Sequence, residues 1–353
     1  MLSVRHRFLW ILALGVAALS GCHLVDEDMG DCETNYDLDY ELRMVTNMTT
    51  EIQTQLSLEA DVQIAQTLRS YLDDVFTDYA HDVDLGFYDV VRNEAAGDSL
   101  RLHYESHIMD ANQSSYTLYI PIRHYMHLAA ANVAGSGLVS LENGGLCHAA
   151  RLTQEVRDTI DSHRTGIFTA RQQMNIQSGV SQEFNVSLYM ANCATTLVLD
   201  TLGSHLRNLR VYATGFATGF AICDSTYLFQ YTPYIRADRI SVPESGTLCF
   251  STVNFPSREP KQDPDTKVTI ETDDPFVSER SEGSLWRYYV YATLPDGTVT
   301  ETIVGVFTPL RAGQYKIIRA QVHSNGSLVT SDPTVGLSVV LNWTPGSEHE
   351  VEL

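Results

Sequence analysis

From Tyr36 to Met44 the chain alternates between apolar and charged positions. Tyr36, Leu38, Tyr40, Leu42 and Met44 fall on one side of an extended backbone, and Asp37, Asp39, Glu41 and Arg43 fall on the other. This pattern predicts a half-buried strand. A slip of one residue would bury all four charges, so its facing is well specified. Between Leu58 and Tyr79 the period changes. Ile64, Leu68, Leu72 and Phe76 recur every four residues, with Arg69, Asp73 and Asp74 between them, which predicts one amphipathic helix. Period two then returns, with Val83, Leu85 and Phe87 alternating with Asp82, Asp84 and Gly86. Ser99 to Tyr104 and Ser114 to Ile122 read as further strands, and Tyr125 to Val133 is apolar enough for a central one. Ala134 to Gly145 is rich in Gly and Ser and reads as a loop, and Leu152 to Ile160 reads as a short helix.

Gly166 to Val180 is polar and irregular, and a domain boundary is expected there. Beyond it, strands are expected at Phe184 to Met190, Ala194 to Leu202, Asn208 to Thr214 and Gly246 to Phe250. Asn254 to Pro275 carries four prolines among charges and reads as an exposed loop. Leu285 to Leu294 and Thr298 to Phe307 flank Pro295-Asp296-Gly297, a hairpin signature, because Pro and Gly supply the dihedrals of a tight turn. Gly313 to His323 and Thr334 to Trp343 are the last expected strands. Short strands at regular spacing with turn signals between them predict a mainly β chain built of β-sandwiches.

The first residues have a different logic. Arg5 and Arg7 precede an apolar run from Phe8 to Leu19, which is followed by Leu19-Ser20-Gly21-Cys22. The run falls short of the roughly 20 residues that span a bilayer, and its flanks fit a signal peptide. Small residues before a cysteine resemble the bacterial lipobox. Cys22 is therefore the expected lipidation site and first mature residue. Several acyl chains on one cysteine give stable anchoring, where a single chain is marginal. His23 to Asp31 follow with an acidic run, Asp26-Glu27-Asp28. It reads either as a solvated tether or as the export tag that sends some Bacteroidetes lipoproteins to the outer face of the outer membrane. The expected divisions are a signal peptide at 1–21, a lipidated tether at 22–34, an N-terminal sandwich at 35–178 and a C-terminal sandwich at 179–353. The mature length is too great for one typical core.

Charge narrows the partners. The chain has 23 basic and 44 acidic side chains and a net charge of -21; loss of Arg5 and Arg7 with the leader takes it to -23. That sign argues against nucleic acid and against adhesion to anionic lipid. Six cysteines are present, and lipidation of Cys22 leaves Cys32, Cys147, Cys193, Cys223 and Cys249, an odd number. No CxxC pair occurs, which argues against a Cys-rich zinc site.

No motif carries catalytic chemistry: GxSxG, P-loop, GxGxxG and HExxH are all missing. No catalytic, cofactor or metal residue is assigned, and a non-enzymatic protein is expected. His124 and His127 are three apart on a strand and face opposite sides, so they do not share a metal. Cys147-His148 diverge in an extended chain and make no nucleophile-base pair. Asp82, Asp84 and Asp89 raise calcium, but without the glycine-centred loop of an EF-hand they read as a solvated sheet face. The 18 tyrosines raise glycan stacking, though strands favour bulky aromatics for packing alone.

The order of several elements is similar to one family. Cys22 is followed by Asp31-Cys32 and then by the alternating strand. Next come Val83-Asp84-Leu85-Gly86-Phe87-Tyr88-Asp89 and a strand, Tyr125 to Asn132, that ends on Asn. The chain closes on Val335 to Gly346, with Trp343-Thr344-Pro345-Gly346. Together these resemble the FimB-like fimbrial anchor lipoproteins of Bacteroidales type V pili, in order over nearly the whole mature chain. The chain departs from that pattern at Thr46 to Asp78 and in the Pro-rich loop. The resemblance implies two tandem transthyretin-like β-sandwich domains with one or two accessory helices. It also implies a lipid-anchored, surface-exposed outer-membrane protein at the base of a fimbrium, which limits fimbrial length. Its partners would be fimbrial shaft or pilin subunits, joined by strand exchange, in which backbone hydrogen bonds give strength and alternate side-chain pockets give register. Two other readings stay open: a surface glycan-binding lipoprotein, and a fimbrial tip or adhesin subunit. The last strand, Thr334 to Trp343, is either paired within its own domain or offered to a partner.

Overall fold

The computed structural model describes residues 35–45, 47–77, 80–91, 99–109, 115–142, 150–178, 181–201, 205–243, 246–260 and 283–343. The first described element is β1 (Asn35–Val45), followed by helices α1 (Asn47–Ser57) and α2 (Val62–Val75). Strands β2 (Asp82–Val91), β3 (Ser99–Met109), β4 (Ser115–Pro121) and β5 (His124–Ala131) lead to a single turn, α3 (Val133–Ser136). Then come β6 (Val139–Glu142), β7 (Arg151–Gln154), β8 (Thr159–Asp161), β9 (Phe168–Asn175), β10 (Glu183–Met190), β11 (Cys193–Asp200) and β12 (Asn208–Thr214). Short strands follow: β13 (Gly219–Ala221), β14 (Thr226–Leu228), β15 (Tyr234–Arg236) and β16 (Asp238–Ser241). The rest are β17 (Thr247–Asn254), β18 (Trp286–Thr293), β19 (Val299–Val306), β20 (Tyr315–Val322), β21 (Leu328–Val329) and β22 (Val335–Trp343). The chain is mainly β, as its alternation predicts.

A seven-stranded sheet, β3-β2-β5-β9-β10-β1-β4, forms the first sandwich. In a flat sheet β5 and β1 would stand three spacings apart, about 14 Å. Yet the Tyr40 hydroxyl on β1 lies 2.6 Å from His127 Nε2 on β5. The sheet therefore folds over between β9 and β10, which share only two paired positions. Leu38 and Tyr40 from β1 face inward, while Asp37, Asp39, Glu41 and Arg43 face solvent, as the alternation requires. On the other side of β2 and β5, a four-stranded sheet, β14-β13-β7-β6, covers Tyr88, Met126, Leu128 and Ala130. That second cover explains why β5 is almost uniformly apolar. Directly after β5 comes Asn132, buried and left-handed at φ 63°. Its side-chain oxygen accepts the His81 N–H at 2.7 Å, and its amide donates to Gly166 O at 3.1 Å.

The second sandwich packs a five-stranded sheet, β16-β17-β11-β20-β21, on a six-stranded one, β22-β19-β18-β12-β15-β8. Leu197, Leu199, Phe250 and Ile318 of the former meet Val211, Trp286, Tyr288 and Val304 of the latter. The opposite face of the five-stranded sheet, with Ala194, Val198, Val253 and Tyr315, belongs to the same core as α1, α2 and the first sandwich. The helices thus join the two sandwiches. Tyr71 on α2 donates to Asp238 on β16 at 2.6 Å.

Several expectations are corrected. The helix expected over Leu58 to Tyr79 begins only at Val62, because Asp61 caps it by accepting N–H bonds from Gln63 and Ile64 at 2.9 and 3.2 Å. A second helix, α1, precedes it, with Met48, Ile52 and Leu56 buried. The Ala134 to Gly145 stretch holds β6 and most of α3, and Leu152 to Ile160 contributes to β7 and β8 rather than to a helix. Gly166 to Val180 holds β9, whose Ala170 and Met174 are buried beside β5. Strand pairing crosses 178/179 in both directions. β10 pairs in parallel with β1, while β8 pairs in parallel with β15 in the second sandwich. The loop expected over Asn254 to Pro275 lies mostly outside the described residues. Among the described residues, no helix is long and apolar enough to cross a membrane.

Candidate functional site

Cys22, the one residue to which sequence assigns a role, lies outside the described residues, as do Cys32 and the Cys147-His148 pair. Cys193, Cys223 and Cys249 are free thiols; the first and last are buried, and burial pushes Cys249 up to about 12. His124 is exposed while His127 is fully buried. Phe87 stacks on the His127 ring at 4.4 Å. Nδ1 of His127 must donate to the Gly86 carbonyl at 3.0 Å, so Nε2 accepts the Tyr40 hydroxyl. Burial holds this imidazole down at about 4, opposed weakly by the Gly86 bond.

The three aspartates weighed for calcium are dispersed. Asp82 is buried rather than solvated and accepts the Ala134 N–H at 3.4 Å. Asp84 pairs with His107 at 2.7 Å, and Asp89 with His103 and Arg123, each at 3.3 Å. Among the described residues, no three His, Cys, Asp or Glu side chains are grouped to hold a metal.

The sheet edges are the stronger feature. A sheet edge presents unpaired N–H and C=O groups to any passing strand. Most edges here are very short: β21 has two residues, β8 three, and β6 and β16 four each. Three are long. β3 is blunted by Arg101, His103, Glu105 and His107. β4 and β22 carry no charged residue at all, and each sandwich has one of them. β4 ends on Pro121 and exposes Tyr119 at 58%.

β22 is built onto the β18–β19 hairpin. That hairpin forms where Pro295-Asp296-Gly297 turns the chain, with Gly297 at φ 90° and the Thr298 N–H bonded to Asp296 Oδ1 at 2.9 Å. β22 then runs antiparallel to β19 from Val335 opposite Val306 to Trp343 opposite Val299, with one irregularity between Val299 and Glu301. The last strand is therefore paired within its own sandwich, and its other edge has no strand neighbour among the described residues. Its start is pinned. Lys316 donates to the hydroxyls of Thr308 and Thr334 at 3.0 and 2.8 Å, and the Thr334 N–H bonds Asp332 Oδ1 at 2.8 Å. Burial pulls the Lys316 ammonium below its usual range. Partial burial pushes Asp332 up, but its bonds from Thr334 and the Lys316 charge bring it below the usual carboxylate range.

Sequence reasoning missed one concavity, a cleft of about 540 Å³ where α2 meets the five-stranded sheet. Asp61, Asp200 and Arg319 line it, with Val198 and Val329, and Arg319 is ion-paired to Glu59.

No family model matches the chain, and no curated protein matches it. Solved structures do. One, described as a "putative adhesin" from Bacteroides thetaiotaomicron VPI-5482, shares 8% identity over 88% of this chain and 99% of that one, with a TM-score of 0.48. The fimbrial anchor protein Mfa2 from Porphyromonas gingivalis shares 12% over 88% and 96%, with a TM-score of 0.44. The tip fimbrial protein Mfa3 from the same organism shares 10% over 87% and 100%, with a TM-score of 0.38. At such identities the chain's function is read from its own residues and edges.

Proposed function

We propose that this chain is a non-enzymatic lipoprotein that anchors a fimbrium to the outer membrane and takes part in its assembly and length control. In this reading Cys22 carries the lipid, the acidic segment after it is the tether, and the sandwiches hold the fimbrial subunit above. The observation that carries the proposal is the pair of long, uncharged edges, β4 on one sandwich and β22 on the other. An isolated soluble protein blunts such edges with charge, as β3 does here. Two such edges without a further strand neighbour among the described residues suit a protein whose partner adds a strand. The lipobox and the family resemblance supply the membrane end of the account.

The test is recovery of the lipidated protein from outer membranes, with identification of what comes with it. Fimbrial subunits should co-purify. Thr117→Lys with Tyr119→Lys on β4, or removal of the chain from Thr334 onward, should reduce their yield several-fold. The β4 pair is exposed and leaves the core intact, so a folding defect does not explain its effect. Recovery of the lipoprotein without any fimbrial subunit would overturn the assignment.

A further inference from the structure

The C-terminal end of β3 brings a nitrogen donor and a sulfur donor together. The strand closes on His107-Ile108-Met109. Residues two apart on a strand share a face, so the His107 ring and the Met109 thioether leave β3 on the same side. His107 Nε2 lies 3.0 Å from Met109 Sδ. Pairing with β2 sets Asp84 opposite His107 and Asp82 opposite Met109. The Asp84 carboxylate reaches the other ring nitrogen, Nδ1, at 2.7 Å. Carboxylate, imidazole and thioether thus stand in sequence.

Packing does not account for this arrangement. Met109 is 72% exposed, so it buries little apolar area there. His107 is exposed as well. The carboxylate decides how the ring acts. With Nδ1–H donated to Asp84, Nε2 of the neutral ring is an acceptor, and it faces Sδ, a second acceptor. Two lone-pair donors set side by side suit a cation shared between them. A carboxylate behind a histidine is also the common support of a metal-ligating ring, because it fixes the tautomer and raises ligand basicity.

We infer that His107 Nε2 and Met109 Sδ bind a soft monovalent metal ion, copper(I) or silver(I), with Asp84 positioning the ring. Donor softness and donor number select the ion. A thioether ligand favours soft ions. Structural zinc takes four ligands and calcium six to eight oxygens. Among the described residues, no three His, Cys, Asp or Glu side chains are grouped to supply such a set. A soft monovalent ion is satisfied by two donors in line. Bonds of about 2.0 Å to nitrogen and about 2.3 Å to sulfur set those donors about 4 Å apart. The further separation of about 1 Å comes from rotation of the exposed, flexible methionine. Binding displaces a proton from Nε2 where the ring carries one, and no electron moves. The site uses neither Cys22 nor the edges β4 and β22, so it stands apart from the anchoring proposal.

The test titrates silver nitrate into the full lipidated chain in detergent, with accessible thiols blocked by N-ethylmaleimide. Isotope-labelled methionine methyl groups are followed by NMR, and calorimetry gives the affinity. One equivalent of silver(I) should shift the Met109 methyl resonance, which is identified by its loss in Met109→Leu. Copper(I), kept reduced with ascorbate, should shift the same resonance; zinc and calcium should leave it in place. Met109→Leu and His107→Gln should each weaken silver binding at least tenfold, and Asp84→Asn about tenfold through the ring it positions. Both ligand side chains are exposed, so circular dichroism should not change in their variants. A Met109 methyl unmoved by silver(I), unchanged affinity in Met109→Leu, or an equal shift with zinc would each overturn the inference. The wild-type methyl shift decides the matter even where a variant folds poorly. None of these results bears on whether fimbrial subunits co-purify.

Discussion

Among the described residues, two histidines are buried without a charged partner, and both are held neutral by burial. His127 sits between Tyr40, Phe87 and the Gly86 carbonyl. His163 lies 2.9 Å from the Gln154 side-chain oxygen and edge-on to Phe255 at 5.0 Å. Each titrates at about 4 in the folded protein, against an ordinary 6.5. The unfolded chain therefore takes up protons that the folded one refuses as pH falls from 6.5 toward 4. Stability is fully present above 6.5 and is lost across that window, by up to about 3 kcal/mol per histidine. Denaturant titrations at pH 7.0 and 4.5 should show the drop, and the double variant Tyr40→Phe/His127→Leu should lose about half of the pH dependence. An unchanged dependence would contradict the role of His127. The alternation placed Tyr40 inward, but its partner stands 87 positions away in sequence, and only the folding-over of the sheet brings the two rings together.

Among elements, the hairpin β18–β19 was the most legible, because a turn is a local object. Gly297 takes φ 90° there, so Gly297→Ala should cost about 1 kcal/mol and lower the melting temperature by a few degrees, read by calorimetry. No change would mean that the turn adopts another geometry. β1 was equally clear, since one face is polar from end to end. Other elements were hidden for physical reasons. β9 reads as irregular because its second half is Arg171, Gln172 and Gln173, yet its apolar residues still alternate against β5. α1 was overlooked because Thr, Asn and Gln dilute a buried stripe of only three residues, Met48, Ile52 and Leu56. β7 and β8 are three to four residues long, and each is paired with a strand in the other half of the chain.

At the scale of the molecule, the halves are interlocked rather than strung together. β10 completes the first sandwich, β8 the second, and β6 and β7 share a sheet with β13 and β14. Fragments cut at 178/179 should therefore fail to fold separately, giving collapsed amide spectra apart and recovering only when mixed. Two independently folded halves would contradict the shared sheets. In the proposed anchoring role, tension would pass through these backbone ladders. The proposed membrane end rests on sequence alone, on the basic, apolar and small-residue order that ends at Cys22. What the other end holds was legible only as a resemblance, and the uncharged edges β4 and β22 give it a physical form. The most direct measurement is electron microscopy of cells carrying Cys22→Ala beside wild type, with fimbriae counted on cells and in the medium. The account predicts fimbriae shed into the medium and altered in length; fimbriae retained on the cell at wild-type number and length would contradict it.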